Sequence, residues 1–202
     1  MKSLLLISLV LLFTNPALAN DNHGHSEGMK WNIDAVHSAV NFTIRHFFTP
    51  VPGHFSEYEG EIYFNPEDLG NSSVDVTIQV ASVDTRNARR DAHLQNEDFF
   101  EVERWPTMRF VSDRITQDGE NSFIAHGSLT IRDVTKEIEL PFQFLGMMEH
   151  PMRENTLVAG IKSEYSLLRN DFGVGTGSWA ETGVVGNTVN IEILLELLHS
   201  PS

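Results

Sequence analysis

Three residue types that could support acid–base or nucleophilic chemistry lie close together near the start of the chain: Asp34, His37 and Ser38. In a β-strand, His37 and Ser38 would point to opposite faces, so local geometry cannot make them a nucleophile and its base. Ser38 is also not the serine of a G-x-S-x-G sequence. We therefore expect these side chains to hydrogen-bond backbone at one end of a sheet or, alternatively, to orient the polar headgroup of a ligand.

His46 is a second candidate for chemistry. It shares sequence parity with Phe42 and Ile44, so strand alternation directs its imidazole inward, where an unsatisfied polar group would be costly. A hydrogen-bonded core histidine is the main expectation. A headgroup contact is the first alternative and a metal site is the second, although no second metal ligand stands at a recognisable spacing.

Two further polar groups follow. Asp84, Arg90, Asp91 and His93 alternate in charge within a segment of poor β-formers, and this segment predicts a helix from about residue 84 to 96 with a surface ion network. Arg169 and Asp171 are two positions apart in a later loop. They predict an ion pair that clasps this loop, with a phosphate or headgroup contact as the alternative.

The elements that must position these side chains are mostly strands, because apolar and polar residues alternate with period two through much of the chain. About eight strands result, most of them separated by turn signals, and Phe99 and Phe100 then return the chain from the helix to the sheet. This pattern predicts an antiparallel fold with one helix closing one end, either a sandwich or a closed barrel. The positions expected to face the interior are Val40, Phe42, Ile44, His46, Phe64, Val76, Ile78, Phe99, Phe100, Met108, Phe110, Leu140, Phe142 and Phe144.

The composition narrows the class of partner. The chain has 202 residues, 41% of them hydrophobic, no cysteine and a formal net charge of -14. Such a charge repels phosphate backbones, so nucleic acid is excluded as an expected partner. Without cysteine there is neither a disulfide nor a thiolate metal site, so the stability of the fold must come from its core.

The start of the chain predicts an export signal. Lys2 precedes an apolar run over residues 4–13 and an A-x-A ending, so we expect cleavage after Ala19 and a periplasmic or secreted protein. The run is about half the length that crosses a bilayer, and no later segment is expected to span a membrane. Residues 20–29 predict a flexible tail whose His23 and His25 could bind a metal transiently, and residues 30–198 predict one domain.

Seven segments occur in a fixed order along the chain: Trp31 to His46, Val83-Asp84-Thr85, Arg90-Asp91-x-His93-Leu94, Asp98-Phe99-Phe100, Pro106-x-x-x-Phe110, Gly127-x-Leu129-x-Ile131-x-x-Val134-Thr135-Lys136 and Arg169-x-Asp171-Phe172-Gly173. With this ordered set, the chain resembles the YceI-like family of polyisoprenoid-binding proteins. The resemblance covers about residues 30–198. Two places depart from the family pattern: Asp133 stands where glycine is common, and residues 46–53 (HFFTPVPG) replace a simpler run with what we expect to be a loop at the cavity mouth.

The resemblance implies a mainly β fold, an antiparallel eight-stranded lipocalin-like barrel with one α-helix. It also implies an elongated cavity that holds a long isoprenoid or similar amphiphile, no covalent cofactor, and often a homodimer. The fourteen inward positions would then line the cavity, with His37, Ser38, Arg169 and Asp171 as candidates for its mouth or headgroup. Among the inward positions His46 is the one with basic character, so a quinone with an isoprenoid tail, or a fatty amide or acid, is expected to fit better than a polyprenyl phosphate.

Two other functions remain open on sequence grounds. The barrel could be a reaction chamber in which His46 or His37 acts as general acid or base, which would require a carboxylate or tyrosine converging on that histidine. Alternatively, the chain's 13 phenylalanines could fill the interior, and the protein would then be an interaction module with a solid core.

Overall fold

The computed structural model describes residues 28–201. The predicted signal peptide and residues 20–27 of the predicted tail lie outside the described residues. Met29 already belongs to the body, because its carbonyl accepts a hydrogen bond of 3.0 Å from the Phe64 amide and its side chain packs against the core. The folded body therefore begins slightly before the boundary at residue 30.

Strands dominate the described chain, as period two predicted. They are β1 (Lys30–Ile33), β2 (Ala39–His46), β3 (Thr49–Phe55), β4 (Tyr58–Tyr63), β5 (Ser73–Gln79), β6 (Val83–Asp84), β7 (Thr107–Gln117), β8 (Ser122–Ile131), β9 (Val134–Glu149), β10 (Leu157–Leu168) and β11 (Val185–His199). The described part has one α-helix, α1 (Ala88–Gln95), and four short 3₁₀ turns at Leu69–Asn71, Val80–Ser82, Arg169–Phe172 and Gly177–Ala180.

Eight of these strands close into an antiparallel barrel. Their order is β1-β4-β5-β7-β8-β9-β10-β11, and β11 pairs back with β1 through Asn32↔Leu198 and Ile33↔Leu197. Toward its N-terminal end, β11 pairs with β2 instead of β1. The sheet then continues from β2 to β3 and to the short β6. The predicted eight-stranded barrel with a single helix is confirmed, and the sandwich alternative is wrong.

The helix is shorter than predicted at its start. It begins at Ala88 and not near Asp84, because the Asn87 side chain caps it by accepting a hydrogen bond from the Arg90 amide. Asp84 instead ends β6, and its carboxylate accepts from the Arg86 amide at 2.6 Å in a turn where Arg86 has φ 63°. A local side-chain hydrogen bond thus competes with helix initiation at this position.

The segment expected to be a loop at residues 46–53 is mostly the strand β3. Pro50 and Pro52 lie opposite Arg45 and Thr43 of β2, whereas on its other side β3 pairs with β6 only at His54 and Phe55. Proline cannot donate to a ladder, so both prolines occupy the part of the strand that forms a free edge. The two prolines are the reason why the sequence predicted a loop at this strand.

The end of the barrel opposite the β2–β3 hairpin is packed solid. Buried residues there include Trp31, Phe64, Phe123 and Leu197, and the Trp31 indole donates a 2.8 Å hydrogen bond to the Phe64 carbonyl. The rings of Phe123 and Phe142 stack at 5.4 Å. Within residues 28–201, no helix has the length and apolar character that a membrane crossing requires.

Candidate ligand-binding cavity

An elongated cavity of about 390 Å³ occupies the barrel interior. Its wall includes six residues of β11 from Val185 to Leu197, so it extends along most of that strand. Inward-facing side chains such as Ile138, Leu140 and Ile193 are only half-buried, and all three border this space. A volume of this size lies within the range of about 300–1,000 Å³ that small-molecule sites occupy. The interior is therefore not a solid phenylalanine core.

Most of the predicted interior positions border the cavity. Thirteen of the fourteen do so: Val40, Phe42, Ile44, His46, Phe64, Val76, Ile78, Phe99, Phe100, Met108, Phe110, Leu140 and Phe142. The exception, Phe144, packs against Phe64 at a ring distance of 5.5 Å in the solid end of the barrel, beyond the cavity. A role of these residues in binding stays a prediction.

Several wall residues were missed by the sequence analysis. Val51 and Phe55 lie on β3, whose prolines concealed its alternation, although the parity shared by Val51, Gly53 and Phe55 was a usable signal. Phe172 and Trp179 come from the 3₁₀ turns between β10 and β11, where no periodic pattern exists. No sequence pattern indicates that aromatic residues in such a connection face the cavity.

The cavity meets solvent beside the β2–β3 hairpin and α1. The exposed residues on its wall are His46, Arg90 and Arg109, and the last of these bonds Asp75 through its guanidinium at the barrel surface. His46 and Arg90 thus mark the mouth. The expectation of a hydrogen-bonded core histidine at position 46 is wrong, because β2 ends there and the imidazole packs edge-on against the Phe47 ring at 4.7 Å.

Helix α1 forms one side of this mouth through a polar network. Arg90 donates from Nε to the Thr85 hydroxyl and from Nη2 to the Thr85 carbonyl, both at 2.6 Å, and the Asp91 carboxylate accepts from the Thr85 amide at 2.9 Å. His93 pairs with Asp98 at 2.9 Å and contacts the Trp179 ring at 5.1 Å. The network holds α1 against the barrel and leaves the Arg90 charge at the rim.

Arg169 is a buried cation on the cavity wall, with 3% of its surface exposed. Its guanidinium donates to the carbonyls of Gly186, Val174, Trp179 and Val185 at 2.7 to 3.2 Å. Burial lowers the pKa of this guanidinium below its ordinary value. These four bonds tie together the chain between β10 and the start of β11.

The predicted Arg169–Asp171 ion pair does not form. Asp171 is exposed and pairs with Lys136 of β9 at 2.8 Å, while Arg169 turns inward to the carbonyls. The two side chains diverge because they lie within the 3₁₀ turn Arg169–Phe172, in which Arg169 and Phe172 are the buried positions. Asp171 does not border the cavity, and neither do His37 and Ser38.

The remaining polar groups of the wall are neutral or satisfied. Burial raises the pKa of the Tyr58 and Tyr165 phenols above the ordinary value, so both are uncharged at neutral pH. The Ser163 hydroxyl donates to the Pro141 carbonyl at 2.6 Å. The wall is consequently suited to an apolar chain, because its arginines are Arg90 at the rim, Arg109 paired with Asp75 at the barrel surface and the carbonyl-bound Arg169.

Asp34, His37 and Ser38 form a separate cluster at the break between β1 and β2. The His37 Nδ1 atom lies 3.0 Å from Asp34 Oδ2 and 3.5 Å from Glu196 Oε1. The hydrogen bond to Asp34 raises the pKa of His37 and lowers that of Asp34. Ser38 Oγ bonds both the amide and the carbonyl of Glu196, at 3.0 and 3.3 Å, which is the structural role expected of it.

This cluster meets one requirement of the enzyme alternative and fails another. Carboxylates do converge on His37, and the ligand atoms of Asp34, His37 and Glu196 lie within 4.8 Å of one another, a spacing that a cation could span. However, the three side chains lie outside the cavity, and the neighbouring Ser38 hydroxyl is committed to backbone. The cluster is thus separate from the barrel cavity.

Comparison with known proteins gives the family. A sequence model of the YceI-like domain matches residues 31–197. The chain belongs to the YceI-like family. Protein YceI of Escherichia coli O17:K52:H18 is 31% identical over 168 residues, which are 83% of this chain and 84% of that protein.

Solved structures agree with the YceI-like fold. BcnA of Burkholderia cenocepacia has a TM-score of 0.73 and 25% identity, and the match covers 83% of this chain and 99% of that chain. A polyisoprenoid binding domain from Saccharophagus degradans has a TM-score of 0.60 and covers 85% of this chain and 98% of its own. At 15% identity, the second likeness supports the fold alone.

Proposed function

We propose that this YceI-like chain is a carrier that holds one long-chain isoprenoid or similar amphiphile in its barrel and performs no covalent chemistry. The observation that carries this proposal is the elongated cavity of about 390 Å³, whose wall is apolar from the mouth at His46 to the closed end at Phe64. A polyisoprenoid binding domain from Saccharophagus degradans has the same fold, so the fold is one that can hold this class of ligand.

The headgroup would lie at the mouth, between His46 and Arg90. His46 is not the only wall residue with basic character, contrary to the expectation from the sequence, since Arg90, Arg109 and Arg169 also border the cavity. Each guanidinium already has partners: Arg169 donates to four carbonyls, Arg90 makes two hydrogen bonds to Thr85 and Arg109 bonds Asp75, so none presents a free fork for a phosphate. We therefore retain an isoprenoid quinone or a fatty amide or acid as the preferred ligand class over a polyprenyl phosphate.

Export belongs to the same proposal. The predicted cleavage after Ala19 would release the domain into the periplasm or the medium, where an apolar molecule that moves between membranes needs a protected path through water. Sequestration and carriage both fit a cavity that opens at one end and is packed with aromatic side chains at the other.

The proposal is tested by native mass spectrometry of protein secreted by a host that processes the leader, followed by organic extraction of bound molecules. We expect a near-stoichiometric long-chain lipid and a mature mass that begins at residue 20. Delipidated protein is then titrated with a quinone, an alcohol and a phosphate of the same prenyl chain length. Phosphate binding at least about tenfold tighter than quinone binding would overturn the headgroup preference.

A blocked cavity supplies the control. Leu140→Trp fills the middle of the cavity, and Glu139→Trp places the same bulk on the exposed face of the same strand. The first variant should lose the lipid and the second should retain it. Ala125→Leu, which narrows the cavity from the neighbouring strand β8 where Ala125 pairs with Leu140, is a second block in case Leu140→Trp does not fold. A folded parent protein that takes up none of the three probes would refute the carrier function.

A further inference from the structure

The tip of the β2–β3 hairpin exposes two adjacent aromatic side chains. Phe48 is 98% exposed and Phe47 is 50% exposed, and Val184 beside them is 40% exposed. The Phe47 amide donates to the Val184 carbonyl at 2.7 Å, which joins the three residues into one apolar tip. We call Phe47, Phe48 and Val184 the hairpin tip.

The backbone makes this exposure more unusual. Residues 47–48 connect the paired positions His46 and Thr49, which is a two-residue hairpin turn, and Phe47 has φ 49°. Two-residue hairpin turns favour glycine or another small residue where φ is positive, because a bulky residue there is strained. Both the strain and the exposure of Phe47 and Phe48 disfavour the isolated folded protein. Such a residue at an outlying backbone angle points to a function outside the fold itself.

The turn is nevertheless held in place. Arg45 donates through Nη1 to the Phe47 carbonyl and through Nη2 to the Thr182 carbonyl, the latter at 2.6 Å. These bonds and the Phe47–Val184 bond fasten the turn to the chain that precedes β11. The aromatic side chains are therefore presented from a fixed base.

The hairpin tip is continuous with the cavity mouth. The His46 ring borders the cavity and contacts the Phe47 ring at 4.7 Å, and Val185, which follows Val184, pairs with His46 and also borders the cavity. An apolar path thus leads from the exposed phenylalanines along Val185 and Val51 into the barrel.

Charge is sparse at the hairpin tip, although the chain as a whole is acidic. The net charge is -14, yet residues 45–53 and 182–187 contain Arg45 and no acidic residue. Farther from the tip both signs are present, with the exposed Arg86, Arg89 and Arg90 beside Asp84 and Asp91 on the side of α1, and Glu181 directly before Thr182. A tip with exposed aromatic residues, one arginine and no carboxylate can enter a lipid headgroup layer that would repel the acidic protein as a whole.

We propose that the hairpin tip inserts into the surface of a lipid bilayer and aligns the cavity mouth with it, so that the amphiphile passes between membrane and barrel without crossing water. This inference rests on the carrier function proposed above. The inference adds a docking surface to the carrier and names a lipid bilayer as its partner. Phe48 is the residue that contributes most to the contact.

Phe48→Ser tests the docking, because it alters a side chain that is almost fully exposed and should leave the fold intact. The matched control is Met152→Ser, an 86% exposed residue between β9 and β10, at the opposite end of the barrel. Flotation with vesicles of phosphatidylethanolamine and phosphatidylglycerol measures docking. Stopped-flow uptake of an isoprenoid quinone from the same vesicles measures transfer, and titration of the quinone in dilute solution measures affinity.

We expect Phe48→Ser to weaken flotation and slow uptake by about tenfold, the scale set by one large apolar side chain leaving an apolar environment. Affinity in solution should be unchanged, and Met152→Ser should resemble the parent protein in all three assays.

Equal uptake rates for parent and Phe48→Ser would overturn the proposal. So would a parent that does not float but sediments as a dimer that Phe48→Ser dissociates, since the tip would then be a contact between copies. A parent that floats but binds no quinone would refute the carrier function and not the docking.

Discussion

At the scale of single residues, the buried guanidinium of Arg169 holds together the chain between β10 and β11. Its spacing from Asp171 suggested an ion pair, but the structure buries its guanidinium among four backbone carbonyls. Sequence spacing cannot reveal this arrangement, because the acceptors are backbone atoms of residues 174, 179, 185 and 186. The residue acts as a structural clasp for the connection that supplies Trp179 and Val174 to the cavity wall.

Replacing Arg169 by lysine should therefore be far from conservative. Lysine carries a single ammonium group, which cannot donate to all four carbonyls that the planar guanidinium reaches. Two or more of these buried acceptors would therefore lose their donor. We expect the free energy of unfolding to fall by about 2–4 kcal/mol, measured by urea denaturation. Arg109→Lys is the control, because Arg109 is an exposed partner of Asp75 and exposed pairs contribute about 0–1 kcal/mol. Equal losses in the two variants would contradict the clasp.

The Asp34–His37 pair predicts a pH dependence. Its hydrogen bond raises the pKa of His37 above the ordinary value of 6.5, so the contribution of His37 is complete below 6.5 and is lost as the pH rises through the raised pKa. The same bond lowers the pKa of Asp34 below 3.8, so the contribution of Asp34 is complete above 3.8 and is lost as the pH falls through the lowered pKa.

The test compares urea denaturation of the parent and of His37→Gln across pH. The difference in unfolding free energy should be largest near about pH 5, where Asp34 is ionised and His37 protonated, and should shrink toward about pH 8. In an Asp34→Asn background most of this pH dependence should disappear. A difference that is constant from pH 5 to pH 8 would mean that the pair is not coupled in solution.

At the scale of elements, the alternation of apolar and polar residues predicted the strands that have one polar face. The prediction failed where a proline or a capping side chain determined the local structure. β2, β5, β9 and β11 follow period two closely and were predicted. β3 was interpreted as a loop, because Pro50 and Pro52 are strand breakers except at a free edge, and the sequence does not say which strand lies at an edge. The start of α1 was misplaced because Asp84 can cap a turn as readily as a helix.

The β2–β3 pair contains a contact on which the cavity shape depends. Gly53 lies opposite Phe42, and a Cβ at position 53 would stand 2.3 Å from Cζ of the Phe42 ring. Gly53→Ala should therefore push this ring along the cavity wall and cost about 1–3 kcal/mol of stability through overpacking. Lipid affinity should fall along with it.

Gly183→Ala provides the matched comparison, since within residues 28–201 nothing other than its chain neighbours lies within 4 Å of a Cβ built at that position. Thermal unfolding and quinone titration of the two variants separate the effect of the ring from that of the added methyl group. If Gly53→Ala retains the parent's affinity and stability, the Phe42 ring has room to move and does not define the wall.

At the scale of the whole molecule, the division between a solid core and a cavity could not be derived from alternation. Both interiors require apolar side chains on every inward position, and a phenylalanine is equally suited to either. The cavity runs along the inward faces of the closed barrel, and the short side chain of Ala125 borders it. The alternation left a sandwich and a closed barrel open, and the resemblance to a family implied a barrel with an elongated cavity.

An internal cavity links stability to its occupant. An amphiphile that binds the folded barrel and not the unfolded chain stabilises the protein by about 2.7 kcal/mol when its free concentration is 100 times its Kd. For a domain of this size, each kcal/mol raises the Tm by roughly 2–4 °C, so saturating quinone should raise the Tm of delipidated protein by roughly 5–10 °C. The shift should grow with prenyl chain length, because each buried methylene contributes about 0.8 kcal/mol, and it should vanish in Leu140→Trp. Differential scanning calorimetry of parent and variant at several quinone concentrations measures it. A shift of equal size in the blocked variant would place the lipid on the outside of the barrel, where neither the cavity nor its mouth at His46 could select it.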